Sequence, residues 1–374
     1  MLRPAQPSRS EQRPVVKLAW CDRISLDRNR PAVSIGGGYR RWGPFSDRQY
    51  DGTIGQSSPQ VISVPPSFSP RRIDDMTFAT RLAQAVQKTK SVTCVGLDPR
   101  QASLPAPIRD AVTNDRPDEW AAAYTQFCME IIDVVAGMVP CVKPQAAFFE
   151  QLGPAGMVSL GEVVAYAKKK DLLVILDGKR NDIGSTATAY ADAYLGTDSP
   201  WGSDSLTVSP YLGRDSIEPF VDVCDSREAG IFVLVKTSNP GGGLLQNRET
   251  DGQTVYARVA ELLTEINAER LDEMGFGPLG AVVGATYPEE LAILRQAMPH
   301  SWILIPGFGA QGGAADDVKA GFLDGGLGAV VNSSRHIIFA HKRPEFAEKF
   351  GDAKWQDAVR AATEEMNAAL NLVD

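Results

Sequence analysis

The stretch from residue 172 to residue 191, "LLVILDGKRNDIGSTATAYA", changes character at its centre. Its first five residues are apolar, and the next six positions hold Asp177, Lys179, Arg180 and Asp182. The residues from Ser185 onward follow a helical period. A short apolar run that leads directly into a helix is typical of a buried strand in a parallel sheet. The stretch therefore predicts a βα unit whose strand ends in a group of opposite charges.

The same alternation of apolar runs and helical stretches repeats along the chain. From residue 76 onward, eight apolar runs alternate with eight helical stretches over about 299 residues. This count predicts an α/β fold of the (β/α)8 barrel (TIM barrel) type. A doubly wound open sheet would normally have fewer strands and a GxGxxG turn after its first strand, where this chain has "GLDPR". The predicted strands are 91–98, 138–144, 172–179, 205–211, 231–238, 279–286, 302–309 and 328–334, and the predicted helices include 119–136, 185–195, 216–229, 254–274 and 353–371.

Residues 1–75 differ from the rest in composition. They are rich in Pro, Arg, Ser and Gly, carry 12 Lys+Arg against 7 Asp+Glu, and show no sustained period. Such a low-complexity segment cannot bury enough apolar surface to offset chain entropy, so we predict a disordered extension before a barrel domain at 76–374. The extension could be a transit peptide or a basic interaction tail, or translation could start at Met76. We favour the start at Met76, because "MTFATRLAQAVQKTK" opens an amphipathic helix at once.

The overall composition argues against several classes of function. Hydrophobic residues make up 43% of the 374, and no apolar run approaches the roughly 18 residues of a membrane-spanning helix. A net charge of −8 argues against nucleic acid as a main partner. The five cysteines show no CxxC spacing, so we interpret them as reduced thiols of a cytoplasmic protein. The three histidines form no metal-ligand pair, and no metal site is predicted.

Polar residues follow most of the predicted strands. In a (β/α)8 barrel the active site lies at the carboxyl ends of the strands. Asp177 and Lys179 are two positions apart, so both side chains should point to the same side of their strand. Taken singly, an aspartate such as Asp182 is commonly a helix N-cap, and a Lys–Asp pair is commonly a surface salt bridge. Burying several charges beside apolar strands costs free energy, and proteins mostly accept this cost at functional sites. The concentration of charges here therefore favours an active site over helix caps and surface salt bridges. The strand-end residues are Asp98, Lys143, Asp177, Lys179, Thr237, Ser238, Asn239, Gln311, Asn332, Ser333, Ser334 and Arg335.

Two loops near the end of the barrel predict a phosphate site. "PGFGAQGGAADDV" follows the seventh predicted strand and is a Gly-rich loop that opens a helix, so its backbone N–H groups can bind an anion. "NSSRHI" ends the eighth strand and supplies Arg335, which suits bidentate contact with phosphate. Barrels often bind phosphate at these two loops. Together they predict a phosphorylated small-molecule substrate.

The combined motifs resemble one known family. The run D-x-K-R-x-D-I-G-S-T at 177–186 is similar to that of orotidine 5′-phosphate decarboxylase, in its longer bacterial-type subfamily. The resemblance covers residues 77 to 371. This chain departs from the family pattern at Gly178, Asn181 and His336, none of which is a charged catalytic position. The further matching motifs are "GLDP" at 96–99, "VKPQAAFFE" at 142–150, "TSNPG" at 237–241, "PGFGAQGG" at 306–313 and "VNSSR" at 331–335.

The resemblance implies a reaction and a set of roles. The family converts orotidine 5′-monophosphate to uridine 5′-monophosphate and CO2 without metal or organic cofactor. By position, Lys179 stabilises the carbanion at C6 and delivers the proton, while flanking carboxylates keep it charged. Asp177 faces the substrate carboxylate, and Lys143 orients Asp177 and contacts the ribose. The remaining implied roles are ribose binding by Asp98, ribose contact across a homodimer interface by Asp182 and Thr186, pyrimidine contact by Ser238, and phosphate binding by Gly307, Gln311 and Arg335.

Two other functions stay open on the sequence. The first is a Mg2+-dependent sugar-phosphate decarboxylase or aldol-type enzyme, which shares the D-x-K-x-x-D run. Such an enzyme needs an acidic metal ligand at the end of strand 2, where this chain has Lys143. The second is a non-catalytic nucleotide-binding barrel. The presence of all four charged residues, Lys143, Asp177, Lys179 and Asp182, argues against it.

Overall fold

The computed structural model describes residues 76–307 and 315–371. The predicted extension at 1–75 and the central part of the Gly-rich loop, including Gln311, lie outside the described residues. Predictions made for those segments therefore remain predictions.

Eight parallel strands close into a barrel in sequence order, with the last strand paired to the first. At one junction Gly96 lies opposite Lys143, and at the closing junction Thr93 lies opposite Val331. The predicted (β/α)8 barrel is confirmed. The strands are β1 Thr93–Leu97, β2 Cys141–Pro144, β3 Leu173–Arg180, β4 Ser205–Val208, β5 Gly230–Lys236, β6 Leu279–Val283, β7 Ile303–Pro306 and β8 Ala329–Ser333.

Helices follow each strand and surround the barrel. Helix Phe78–Thr89 precedes β1, and Thr77 caps it by accepting a hydrogen bond from the Thr80 N–H at 3.1 Å. The helix predicted from Met76 is confirmed. Phe78 lies against Gly230, the first residue of β5, so this helix packs on the amino ends of the strands. The other α-helices are Ala106–Arg109, Pro117–Val135, Ala146–Glu150, Gly153–Lys169, Gly184–Tyr194, Glu218–Arg227, Gly243–Gln246, Val255–Asn267, Pro288–Ala297, Ala315–Lys319, Arg335–Ile338, Pro344–Lys349 and Trp355–Ala369.

The strands are apolar because both of their faces are covered. All residues of β1, β2, β4, β6 and β8 are buried. Large side chains fill the space between strands and helices, and Phe78 meets Phe232 edge-on at 6.0 Å between ring centroids. Among the described residues, no helix is both long and apolar enough to cross a membrane. The charged residues of the eight strands lie in the carboxyl-terminal halves of those strands.

Six of the eight strands end earlier than the apolar runs predicted, whereas β2 ends at the predicted residue and β3 ends one residue later. The fourth strand was predicted over 205–211 and ends at Val208, and the sixth was predicted to residue 286 and ends at Val283. Residues beyond these ends lie on the loops that follow the two strands. A short hairpin formed by Glu249–Thr250 and Gln253–Thr254 was not predicted, because its two-residue strands carry no apolar alternation.

Candidate active site

A cavity of about 330 Å³ opens at the carboxyl ends of the strands. Its volume is within the range of small-molecule sites. Most of the polar residues predicted at strand ends lie in this one cavity. Its lining consists of Asp98, Arg100, Lys143, Gln145, Asp177, Lys179, Thr207, Leu234, Thr237, Ser238, Asn239, Val282, Leu304, Pro306, Gly307, Asn332, Ser333, Ser334 and Arg335.

The Asp177 carboxylate is the centre of the charge network. Lys143 Nζ donates to Asp177 Oδ2 at 2.7 Å, and Lys179 Nζ donates to Asp177 Oδ1 at 2.5 Å. Gln145 Nε2 and Thr207 Oγ1 also donate to this carboxylate, each at 3.0 Å. Four donors from three strands and one loop thus fix both carboxylate oxygens. The predicted convergence of Lys143, Asp177 and Lys179 is confirmed.

The three charged groups differ in their exposure to water. Lys143 is 5% exposed and Asp177 is 7% exposed, whereas the Lys179 side chain is 47% exposed and faces the cavity. Burial alone would raise the pKa of Asp177, but the charges of Lys143 and Lys179 outweigh it and hold this pKa well below its usual range. Burial works to lower the pKa of Lys143, but Asp177 and Asp98 outweigh it and raise this pKa. Asp177 and Lys143 therefore both stay charged at neutral pH.

Lys179 reaches Asp177 through an irregular backbone. The pairing of β3 with β4 shifts register between Leu176 and Arg180, and Lys179 has a φ of 43°, in the left-handed region. A side-chain-bearing residue in this region costs about 1–3 kcal/mol, and such strain clusters at functional sites. The Lys179 N–H donates to Thr207 Oγ1 at 2.9 Å, which holds the bulge in place. The backbone thus turns the Lys179 ammonium into the cavity on the same side as Asp177.

Two strand ends present acceptor atoms to the cavity. Asp98 Oδ1 and Asn332 Oδ1 are buried and have no hydrogen-bond partner among the described residues. Asn332 is 5% exposed, and its Nδ2 donates to Ser334 Oγ at 3.3 Å. A buried acceptor without a partner is costly, so both oxygens suit a ligand that brings hydroxyl or N–H donors.

The loop after β5 brings Ser238 to the cavity. Its position depends on Gly284 at the end of β6, because a Cβ at Gly284 would lie 2.9 Å from the backbone nitrogen of Ser238. The Gly284 N–H donates to the Lys236 carbonyl at 2.8 Å, and the buried Lys236 ammonium lies 3.1 Å from Glu290. The residues at the end of β6 therefore position the loop that follows β5.

Gly307 and Arg335 line the same cavity, after β7 and β8, and β7 lies four strands round the closed barrel from β3, which carries Asp177 and Lys179. Gly307 follows β7 with a φ of 96°, which favours glycine, and Arg335 begins the short helix after β8. These are the two strand ends at which the sequence predicted phosphate binding. Gln311 lies outside the described residues, so its predicted role stays untested.

The sequence profile of the orotidine 5′-phosphate decarboxylase / HUMPS family matches residues 91–350. The orotidine 5′-phosphate decarboxylase of Rhodopirellula baltica is 71% identical over 299 residues, which cover 79% of this chain and 99% of the relative. The chain belongs to this family.

Solved structures agree with this assignment. A Streptomyces avermitilis protein, assigned as an orotidine 5′-phosphate decarboxylase, superposes with a TM-score of 0.65 and 36% identity over 80% of this chain and 97% of that one. The OMP decarboxylase of Leishmania donovani superposes with a TM-score of 0.62 and 31% identity over 80% of this chain and all of that one.

Two of the site residues implied by the family lie outside the cavity of their own chain. Asp182 and Thr186 are absent from its lining, and Thr186 is exposed on helix Gly184–Tyr194. Asp182 Oδ1 accepts from the Ile183 N–H at 2.8 Å, and no side chain in the described part of the chain caps helix Gly184–Tyr194. The N-cap alternative for Asp182 is therefore wrong. Within one chain the structure does not bring these two residues to Asp177.

Sequence reasoning missed two residues that bind the central carboxylate. Gln145 had a signal, because it stands in the quoted "VKPQ" motif directly after β2. No sequence signal marked Thr207, because threonine is common in β-strands and one inside a predicted strand does not indicate a functional site. Both contacts depend on how neighbouring strands are staggered in the closed barrel, which a single sequence does not specify.

Proposed function

We propose that this barrel decarboxylates orotidine 5′-monophosphate to uridine 5′-monophosphate and CO2, with Lys179 as the proton donor. The observation that carries the proposal is the Lys143–Asp177–Lys179 network, in which one buried carboxylate binds two ammonium groups at the barrel mouth. Family membership supplies the substrate class, since the relatives are orotidine 5′-phosphate decarboxylases.

The reaction leaves an electron pair on C6 of the pyrimidine. When the bond from C6 to the carboxylate breaks, CO2 departs and the pair stays on a carbon with little delocalisation. A fixed positive charge beside C6 stabilises that pair as it forms. Lys179 faces the cavity and is held by Asp177 at 2.5 Å, so its ammonium is already oriented. The ammonium then gives its proton to C6, and the neutral amine regains a proton from solvent.

Asp177 and Lys143 assist the decarboxylation without donating the proton. Asp177 stays ionised because the two lysines lower its pKa, so it places a negative charge where the substrate carboxylate enters. Lys143 is buried and binds Asp177 Oδ2, so it holds that carboxylate in one orientation. Asp98 Oδ1, which has no hydrogen-bond partner among the described residues, suits a ribose hydroxyl, and Ser238 lines the same cavity, where it can contact the pyrimidine.

The phosphate group would bind at the opposite side of the cavity. Gly307 and Arg335 line that side, and Gln311 belongs to the same loop in sequence. A guanidinium binds phosphate through two parallel hydrogen bonds. Phosphate binding far from C6 contributes free energy that can align the pyrimidine with Lys179.

We also propose a homodimer with shared sites, in which Asp182 and Thr186 of one chain reach the cavity of the partner. The position of both residues outside their own cavity supports this arrangement.

A cytoplasmic location is part of the proposal. It is supported by the free, buried thiols of Cys94, Cys128 and Cys141, since cytosolic proteins keep thiols reduced.

The Mg2+-dependent alternative conflicts with the charge at the end of β2. That position holds Lys143, which is 5% exposed and ion-paired with Asp177 at 2.7 Å. A divalent cation at the same place would meet a fixed positive charge within a few ångströms. A non-catalytic barrel would have no need to keep Lys179 in a strained backbone conformation beside the cavity.

The test is a direct assay of the full-length protein. Purified protein is mixed with orotidine 5′-monophosphate in EDTA or in Mg2+, and the ultraviolet absorbance of the pyrimidine is followed. The orotidylate band should disappear at the same rate in both. Loss only in Mg2+ would support the metal-dependent alternative, and no loss in either would support a binding barrel.

A further inference from the structure

Arg180 follows Lys179 directly and lies outside the cavity lining. Its side chain is 18% exposed and turns back along β3, where Nη1 donates to the Gly178 carbonyl at 3.1 Å. That carbonyl belongs to the peptide bond that joins Gly178 to Lys179. One guanidinium hydrogen bond therefore spans the bulge that carries Lys179.

The guanidinium is held from two further elements. Its Nη2 donates to Glu150 and, at 3.0 Å, to the Tyr194 hydroxyl. The rings of Tyr190 and Tyr194 lie 5.5 Å and 5.2 Å from the guanidinium carbon, within the range of cation–π contact. Arg180 thus connects the end of β3 to the helix after β2 and to helix Gly184–Tyr194.

The same short segment after β2 contacts β3 on both sides of Lys179. Gln145 donates to the Asp177 carboxylate, and Glu150, five residues later, accepts from Arg180. The main chain of Arg180 is also fixed, because its carbonyl accepts from the Ser209 N–H at 2.9 Å. The left-handed residue is therefore restrained at the residue before it and at the residue after it.

We infer that Arg180 is a positioning residue that holds the bulge so that the Lys179 ammonium stays at the reacting carbon. This inference rests on the proposed role of Lys179 as proton donor. A displacement of about 1 Å at a reacting group can lower the rate by about 100-fold. Lysine cannot replace Arg180. The planar guanidinium donates to the Gly178 carbonyl, Glu150 and Tyr194 from two nitrogen atoms, and a single ammonium nitrogen cannot reproduce that geometry.

A matched control is available in Arg227. Its side chain is 25% exposed, and it donates to the Leu195 and Asp192 carbonyls and to the Asp192 carboxylate. Arg227 therefore resembles Arg180 in burial and in its mixture of main-chain and carboxylate partners. It contacts the region around the end of helix Gly184–Tyr194 but has no contact with Gly178.

The experiment compares Arg180→Lys with Arg227→Lys in the full-length protein, measuring kcat, the Kd for uridine 5′-monophosphate and the melting temperature. Arg180→Lys should lower kcat by roughly 10- to 100-fold while Kd changes less than about three-fold. Arg227→Lys should leave kcat within about two-fold even if the melting temperature falls. If Arg180→Lys does not fold, Glu150→Ala decides, because it removes one acceptor of the guanidinium and should lower kcat without a matching loss of affinity.

Three results would overturn the inference. The first is an unchanged kcat in Arg180→Lys, or an unchanged kcat in Glu150→Ala if Arg180→Lys does not fold. Another is an equal fall of kcat in Arg227→Lys, and the last is a loss of nucleotide affinity as large as the loss of kcat. A wild-type protein that fails to decarboxylate orotidine 5′-monophosphate would instead refute the proposed function, so the two failures are distinguishable.

Discussion

At the scale of single residues, Asp177 organises the site. Its carboxylate accepts four hydrogen bonds, two of them from ammonium groups. A charge buried in this way is stable only while its partners remain, and removing one partner of a buried pair typically costs about 3–5 kcal/mol. The sequence predicted the charge cluster because Asp177 and Lys179 are two apart and end an apolar run. It could not predict Thr207 as a partner, because that contact is made only when β4 lies beside β3.

The depressed pKa of Asp177 makes a pH-dependent prediction. A carboxyl group whose pKa is lower in the folded than in the unfolded chain stabilises the fold above its unfolded pKa of about 3.9. That stabilisation is lost as the pH falls from about 4 towards the folded pKa. Asp177→Asn should therefore lower the free energy of unfolding at pH 7, and its difference from wild type should narrow below about pH 4. Denaturant unfolding at a series of pH values measures this, and a pH-independent difference would contradict it.

At the scale of elements, strand positions follow from the apolar runs and the details of strand ends do not. All eight strands lie within or beside the predicted ranges, because a buried parallel strand needs a continuous apolar run. Regular alternation predicted that Asp177 and Lys179 share a side, and they do. The backbone that achieves it is irregular, however, since Lys179 has a positive φ and β3 is bulged against β4. Thr207 and Glu150, which contact Lys179 and Arg180 at this bulge, come from other elements of the fold, so the local sequence does not specify these contacts.

At the scale of the whole molecule, one chain supplies an incomplete set of the residues that the family resemblance implies. Asp98, Lys143, Asp177, Lys179, Ser238, Gly307 and Arg335 share one cavity, whereas Asp182 and Thr186 do not. A two-fold dimer with paired barrel mouths would bring the missing residues from the partner. A sequence predicts such sharing only through family resemblance, because nothing in local pattern marks a residue as serving another chain.

Exchange of subunits tests the shared site. Lys179→Ala and Asp182→Ala should each be inactive alone, and a mixed dimer should contain one site with both residues intact. With random exchange about half the dimers are mixed and half of their sites are intact, so roughly a quarter of wild-type activity should return. If mixing is confirmed by differently tagged subunits and no activity returns, Asp182 does not act on the partner's site.

The most direct measurement of the central claim is the turnover of Lys179→Ala together with its affinity for uridine 5′-monophosphate. Removing the ammonium takes away both the charge beside C6 and the proton donor, but leaves Gly307 and Arg335 on the far side of the cavity. We predict a loss of nearly all of kcat with nucleotide binding retained within about ten-fold. A variant that binds the nucleotide and keeps more than a few per cent of wild-type kcat would contradict the account, because the proton must then come from another group.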